Sequence, residues 1–153
     1  RRGVPCRGLV VGDGSKRREL AQFAKARGLE PHVQFIGEQE EVASWLDQLD
    51  IFLMTSSFEV LSNAALEAMA HGVPVVAMPC PGGLSDLVER AGLLLPDREI
   101  STAADAVAQL LESPEERARL RACGYAITAK CNFEYILQTL EELYLKLDSR
   151  SSV

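Results

Sequence analysis

The chain has 153 residues, of which 47% are hydrophobic and 25% charged, the profile of a folded globular protein rather than a disordered or fibrous one. Such a length buries roughly 70% of the unfolded surface, enough for one full core and hardly for two, so a single domain over residues 1–153 is expected. Sixteen Lys and Arg against 22 Asp and Glu leave a net charge of −6, the wrong sign for a domain built to grip a nucleic-acid backbone. The run Gly8-Leu9-Val10-Val11-Gly12 predicts a strand and ends in Gly-Asp-Gly. Residues 16–27 then carry Leu20, Phe23 and Ala24 at helical spacing, with Gly28 as the stop. Val33-Gln34-Phe35-Ile36 before Gly37 is a second strand, and Val42, Trp45, Leu46 and Leu49 line one side of a helix over 41–49. A third strand covers 50–54, and a short helix over 64–71 is ended by Gly72. Then come a fourth strand over 73–77, a helix over 84–90 and a fifth strand over 92–95. The tail is helical over 102–111, 114–130 and 133–147.

Short, uniformly apolar strands separated by helices are the pattern of an α/β fold, a parallel sheet of about five strands with helices on both faces. A helical C-terminal tail follows it. Ligands of such sheets sit outside the carboxyl ends of the strands. Four loops are therefore the places to look: 12–16, 37–41, 55–63 and 78–84.

No apolar run reaches the roughly 20 residues that cross a bilayer, and no charged-then-apolar leader opens the chain. The start at Arg1-Arg2, without an initiator Met, predicts a piece of a longer protein. Cys6, Cys80, Cys123 and Cys131 form no Cys-x-x-Cys pair, and His32 and His71 do not stand at zinc-ligand spacing. Four separate thiols predict a reducing compartment, the cytoplasm, and no metal site.

Gly12-Asp13-Gly14 follows a strand and opens a helix, where backbone amides can receive a phosphate. A third glycine at 17 would complete the dinucleotide fingerprint, but Arg17 stands there, and a plain tight turn accounts for the motif equally well. The richest stretch runs from Thr55 to Ala77. Ser62 or Asn63 can cap the helix that follows, which would leave the amides of Ala64 and Ala65 to hold an anion at the positive end of the helix dipole. Glu59 stands on the loop before that helix and Glu67 within its first turns. With 15 Glu in the chain, one or two pairs eight apart arise by chance, and Glu30/Glu38 and Glu134/Glu142 are two more. The Glu59/Glu67 pair differs from these in lying between a strand and a helix. His71 reads as a cation at a helix end, Trp45 as core, and the Arg117–Arg121 cluster as a solvated face.

Taken in order, Leu9–Gly14, Val33–Gly37, Asp50–Leu53, Glu59 through Glu67 with Ala68–Ala77, and Gly82-Gly83 with Asp86 resemble one known family. The chain is similar to the C-terminal, nucleotide-sugar-binding half of retaining glycosyltransferases built from two Rossmann-like domains (the GT-B type), which include bacterial surface-polysaccharide and mannosyl transferases. The resemblance implies that Glu59 contacts the donor sugar as the catalytic-site acid and that Glu67 accepts hydrogen bonds from the ribose. It further implies that Ser62, Asn63, Ala64, Ala65, Gly82, Gly83 and Gly14 face the sugar and diphosphate. No metal or other cofactor is implied, and stabilising the leaving nucleoside diphosphate is the main catalytic task. The basic residues that clamp the diphosphate in the family, and its acceptor-binding domain, match nothing here. The chain alone is expected to bind donor weakly without turning it over, and the full-length protein to reach the membrane periphery at most. A non-catalytic nucleotide-sugar-binding module and half of a nucleotide-sugar epimerase stay open as alternatives.

Overall fold

The computed structural model describes residues 3–131 and 133–150, the side chains of 148–150 excepted. The chain divides between Trp45 and Leu46 into two compact units. In the first, β1 (Gly8–Val11) and β2 (Val33–Gly37) pair in parallel, with a register shift between Val10 and Val11. The amphipathic helix α1 (Arg17–Ala26) joins them, and Gly28 ends it at a positive φ of 68°. Only Ala24 of its expected apolar face is buried; Leu20 and Phe23 are exposed, and the guanidinium of Arg27 lies 3.6 Å above the Phe23 ring. Of the helix expected over 41–49 only one turn, α2 (Ala43–Leu46), forms at the division. The Leu49 amide closes a tighter turn onto the Leu46 carbonyl at 3.0 Å instead of continuing it.

The second unit is built on β3 (Phe52–Met54), β4 (Val75–Ala77) and β5 (Leu93–Leu94), all parallel with β4 central. The five expected strands are thus present, hydrogen-bonded as a pair and a triple. Helix α3 (Asn63–Ala70) connects β3 to β4, and α4 (Gly83–Ala91) connects β4 to β5. Every residue of β4 is sealed from solvent, as expected for a central strand flanked by helices. Val76 and Met78 pack with Leu95, Ala103, Leu110 and Leu120, the last three from α5 (Ile100–Glu112) and α6 (Pro114–Thr128).

Helix α6 also braces α3. Gly124 faces the Met69 side chain, and Arg121 Nε donates to the Gly72 carbonyl at 2.8 Å. Arg117 donates to the Leu110 and Leu111 carbonyls at 2.7 and 2.6 Å, closing the end of α5. The arginine cluster is therefore not a uniformly solvated face, because two of its three guanidiniums satisfy helix-end carbonyls. Only Arg119 behaves as expected, pairing on the surface with Glu116, whose carboxyl that hydrogen bond holds below the ordinary carboxylate range. The last helix, α7 (Phe133–Arg150), leaves every described side chain from Phe133 to Leu147 exposed, including Ile136, Leu137, Leu140, Leu143 and Tyr144 at helical spacing. No helix among the described residues is long and apolar enough to cross a membrane.

Candidate functional site

The site is built at the carboxyl ends of β3 and β4, where two loops meet. Ser62 occupies the N-cap of α3 in extended conformation, and its Oγ accepts the Ala65 amide at 3.2 Å. The Ser62 carbonyl takes the Leu66 amide at 3.1 Å. Ser62 itself is 4% exposed, the one buried polar residue among the described core. This corrects the expectation for Ala65: its amide is consumed by the cap and the residue is fully buried, so it has nothing to offer a ligand. The amides of Asn63 and Ala64, the first two of the helix, have no partner among the described residues, and both residues are exposed. Ser62→Ala should therefore cost about 1 kcal/mol of unfolding free energy, with Ser62→Thr retaining most of it, measured by urea denaturation.

Glu67 follows one turn after Asn63 on α3 and is exposed, while Glu59 is half-buried on the loop between β3 and α3. Neither carboxylate has an ion pair or hydrogen bond among the described residues. Neither is sealed in the core.

The Glu59 loop is held from below by main chain. The Glu59 amide donates to the Pro81 carbonyl at 3.2 Å, and the Gly83 amide donates to the Val60 carbonyl at 2.7 Å. Gly82 sits at φ 108°, and a Cβ there would fall onto the Glu59 carbonyl oxygen. A Cβ on Gly83 would stand 2.6 Å from the Val60 carbonyl oxygen. The side-chain-free faces of both glycines are thus occupied by the protein's own Glu59-Val60 backbone. They let two strand-end loops touch, which spacing alone does not reveal.

A third tie comes from beyond β5. Arg98 Nη1 donates to the carbonyls of Ser56 at 2.8 Å and Pro79 at 2.9 Å, and Nη2 donates to that of Thr55 at 2.9 Å. Ser85 Oγ accepts from the Cys80 amide at 3.2 Å and donates to its carbonyl at 2.9 Å, pinning the β4 loop to α4. Neither residue stands out in the sequence, since their partners are main-chain carbonyls and amides.

Gly14 belongs to the other unit. There the Asp13 carboxylate accepts the Glu38 amide at 2.8 Å and pairs with Arg17 at 2.9 Å. Arg17 spends its other Nη on the Phe35 carbonyl at 3.1 Å, and its amide closes a turn onto the Gly14 carbonyl at 2.9 Å. Gly14 lines a concavity of about 150 Å³ with Lys16, Arg17, Val10, Leu20 and Phe35 among others. Gly-Asp-Gly is a staple between two loops. His71, at the C-cap of α3, bonds Asp47 through Nδ1 at 2.7 Å, a structural pairing at a helix end. Trp45 is half-buried and donates to Gln39 Oε1 at 3.2 Å.

Residues 1–113 match the family model of glycosyl transferases group 1. The chain belongs to that family. A curated relative, the lipopolysaccharide core biosynthesis mannosyltransferase LpsB of Rhizobium meliloti, is 33% identical over 141 residues, covering 83% of this chain and 40% of that protein. The crystal structure of Anabaena Alr3699/HepE in complex with UDP superposes with a TM-score of 0.78 at 26% identity, over 94% of this chain and 41% of that one. The C-terminal domain of the group 1 family protein LpcC from Francisella tularensis matches with a TM-score of 0.69 at 28% identity, over 83% of this chain and 70% of that one. This group 1 chain spans 16% to 40% of the length of the first curated relatives it matches.

Proposed function

We propose that this chain is the donor-binding, C-terminal half of a retaining, metal-independent glycosyltransferase. The whole protein would move a sugar from a nucleoside-diphosphate sugar to an acceptor in bacterial surface-polysaccharide or glycolipid synthesis. One observation supports the reading: Glu59 on the loop before α3 and Glu67 one turn into that helix carry carboxylates with no partner among the described residues, and the Asn63 and Ala64 amides at the helix start have none there either. The relatives add support, since an Anabaena HepE structure of the same fold was solved with UDP-glucose. Named relatives include a Vi polysaccharide biosynthesis protein and several lipopolysaccharide core transferases.

In this reading Glu67 accepts two parallel hydrogen bonds from the vicinal ribose hydroxyls, which suits a carboxylate and no neutral side chain as well. Glu59 accepts from hydroxyls of the donor sugar. The diphosphate lies against the Asn63 and Ala64 amides, where the helix dipole favours negative charge. As the glycosidic bond breaks, charge grows on the leaving diphosphate, and these fixed donors stabilise it without reorganising. Gly82 and Gly83 form the floor that sets the height of Glu59. Ser62 orders the helix end, and Gly14 takes the part of a turn former.

Calorimetric titration of the UDP, GDP and ADP sugars against the full chain and its Glu67→Ala variant tests this. One base class should bind, and the variant should weaken it roughly 10- to 100-fold, the worth of charge-assisted hydrogen bonds. Undiminished affinity in the variant would refute the ribose assignment. Failure of every nucleotide sugar to bind the unaltered chain would refute the donor site itself.

A further inference from the structure

Three strand-end loops converge on one side chain. The Arg98 guanidinium lies on the loop after β5, yet its three hydrogen bonds all reach elsewhere: to Thr55 and Ser56 after β3, and to Pro79 after β4. Those partners stand 43, 42 and 19 residues away in sequence. Thr55 and Ser56 begin the segment that carries Glu59, and Pro79 begins the one that carries Gly82 and Gly83. The main-chain pairs Glu59–Pro81 and Val60–Gly83 close the far end of the same two segments. The loops are thus stitched at both ends, by backbone at the tip and by one guanidinium at the root.

We propose that Arg98 is a positioning residue that holds the Glu59 loop in register with the β4 loop, so that the crevice is assembled before any ligand arrives. This rests on the donor-site reading only for what the crevice receives. The chemistry selects arginine. Three carbonyl oxygens from two loops need a planar fork of donors at fixed angles, whereas a lysine ammonium is a compact point charge that cannot reproduce that fork. Asp97, the preceding residue, accepts the Glu99 amide at 2.9 Å and the Thr102 hydroxyl at 3.2 Å, which anchors the arginine's own loop to the start of α5.

The test compares the full chain with Arg98→Met and Arg98→Lys. Hydrogen–deuterium exchange is read in segments 55–61 and 79–83, and calorimetric affinity with UDP-glucose, GDP-mannose and ADP-glucose as probes. Both variants should raise exchange in the two segments about tenfold while leaving α6 at its original rate, and should weaken the bound nucleotide sugar about tenfold. Arg98→Lys should not rescue either readout. Unchanged exchange in the two segments would overturn the latch. Raised exchange with unaltered affinity would overturn its role in ordering the site. If the unaltered chain binds none of the probes, the donor-site reading fails on its own, and the exchange measurement still decides whether Arg98 registers the loops.

Discussion

Gly82→Ala is expected to abolish nucleotide-sugar binding and to lower the unfolding free energy by about 3 kcal/mol or more. Two costs add at this position. The backbone sits at φ 108°, a region that L side chains rarely adopt, and forcing alanine there costs about 1–3 kcal/mol. The new methyl would also overlap the Glu59 carbonyl oxygen. That obstacle is main chain and cannot escape by changing rotamer, so overpacking adds about 1–3 kcal/mol. Relief requires the Glu59 loop to lift away, which displaces Glu59 from the proposed donor site. Gly83→Ala carries only the second cost, since its φ is not positive and its methyl would stand 2.6 Å from the Val60 oxygen. The two variants should therefore rank Gly82→Ala below Gly83→Ala below the unaltered chain, in denaturant midpoint and in donor affinity alike. A Gly82→Ala protein with ordinary stability and affinity would contradict the contact between the loops.

Leu120→Ala should cost about 2–5 kcal/mol, the range for emptying a buried leucine site. Leu120 is 2% exposed and fills the cluster that joins β4 to α5 and α6. On the same helix Arg121 is held to the Gly72 carbonyl and Arg117 to the Leu110 and Leu111 carbonyls, which ties the helix against rotating to close the void. The measurement is a urea midpoint that falls with an unchanged slope. Circular dichroism is the appropriate probe, because α5, α6 and α7 belong to the second unit whereas the single tryptophan, Trp45, belongs to the first. A midpoint within error of the unaltered protein would show that α6 does not depend on this contact.

Much of the fold was readable from short-range signals. Apolar runs marked all five strands, and Gly28 and Gly72 marked helix ends where the backbone indeed turns through positive φ. Ser62 announced its helix, because a hydroxyl before an apolar stretch satisfies an amide three residues on. The same cap is what removed Ala65 from the site, a detail that depends on which amide the hydroxyl chooses. The candidate site was legible as a location, less so as a construction. Asp13, Arg17, Ser85 and Arg98 act through backbone atoms that lie between 5 and 43 residues away. Backbone acceptors leave no pattern in a sequence, since every residue has one. Helix periodicity misled where contacts outvoted it: the 41–49 stripe is apolar at the right spacing, but only Leu46 is fully buried and only one turn forms.

The two loops that frame the acids are joined through peptide groups at their tips, with no side chain of Glu59, Val60 or Pro81 involved. Phe58, Val60 and Leu61 are accordingly left standing in solvent with no duty to the scaffold. Substituting them should therefore leave the frame beneath in shape. A change of side chain there alters the surface presented at the rim and leaves the peptide joint beneath it intact.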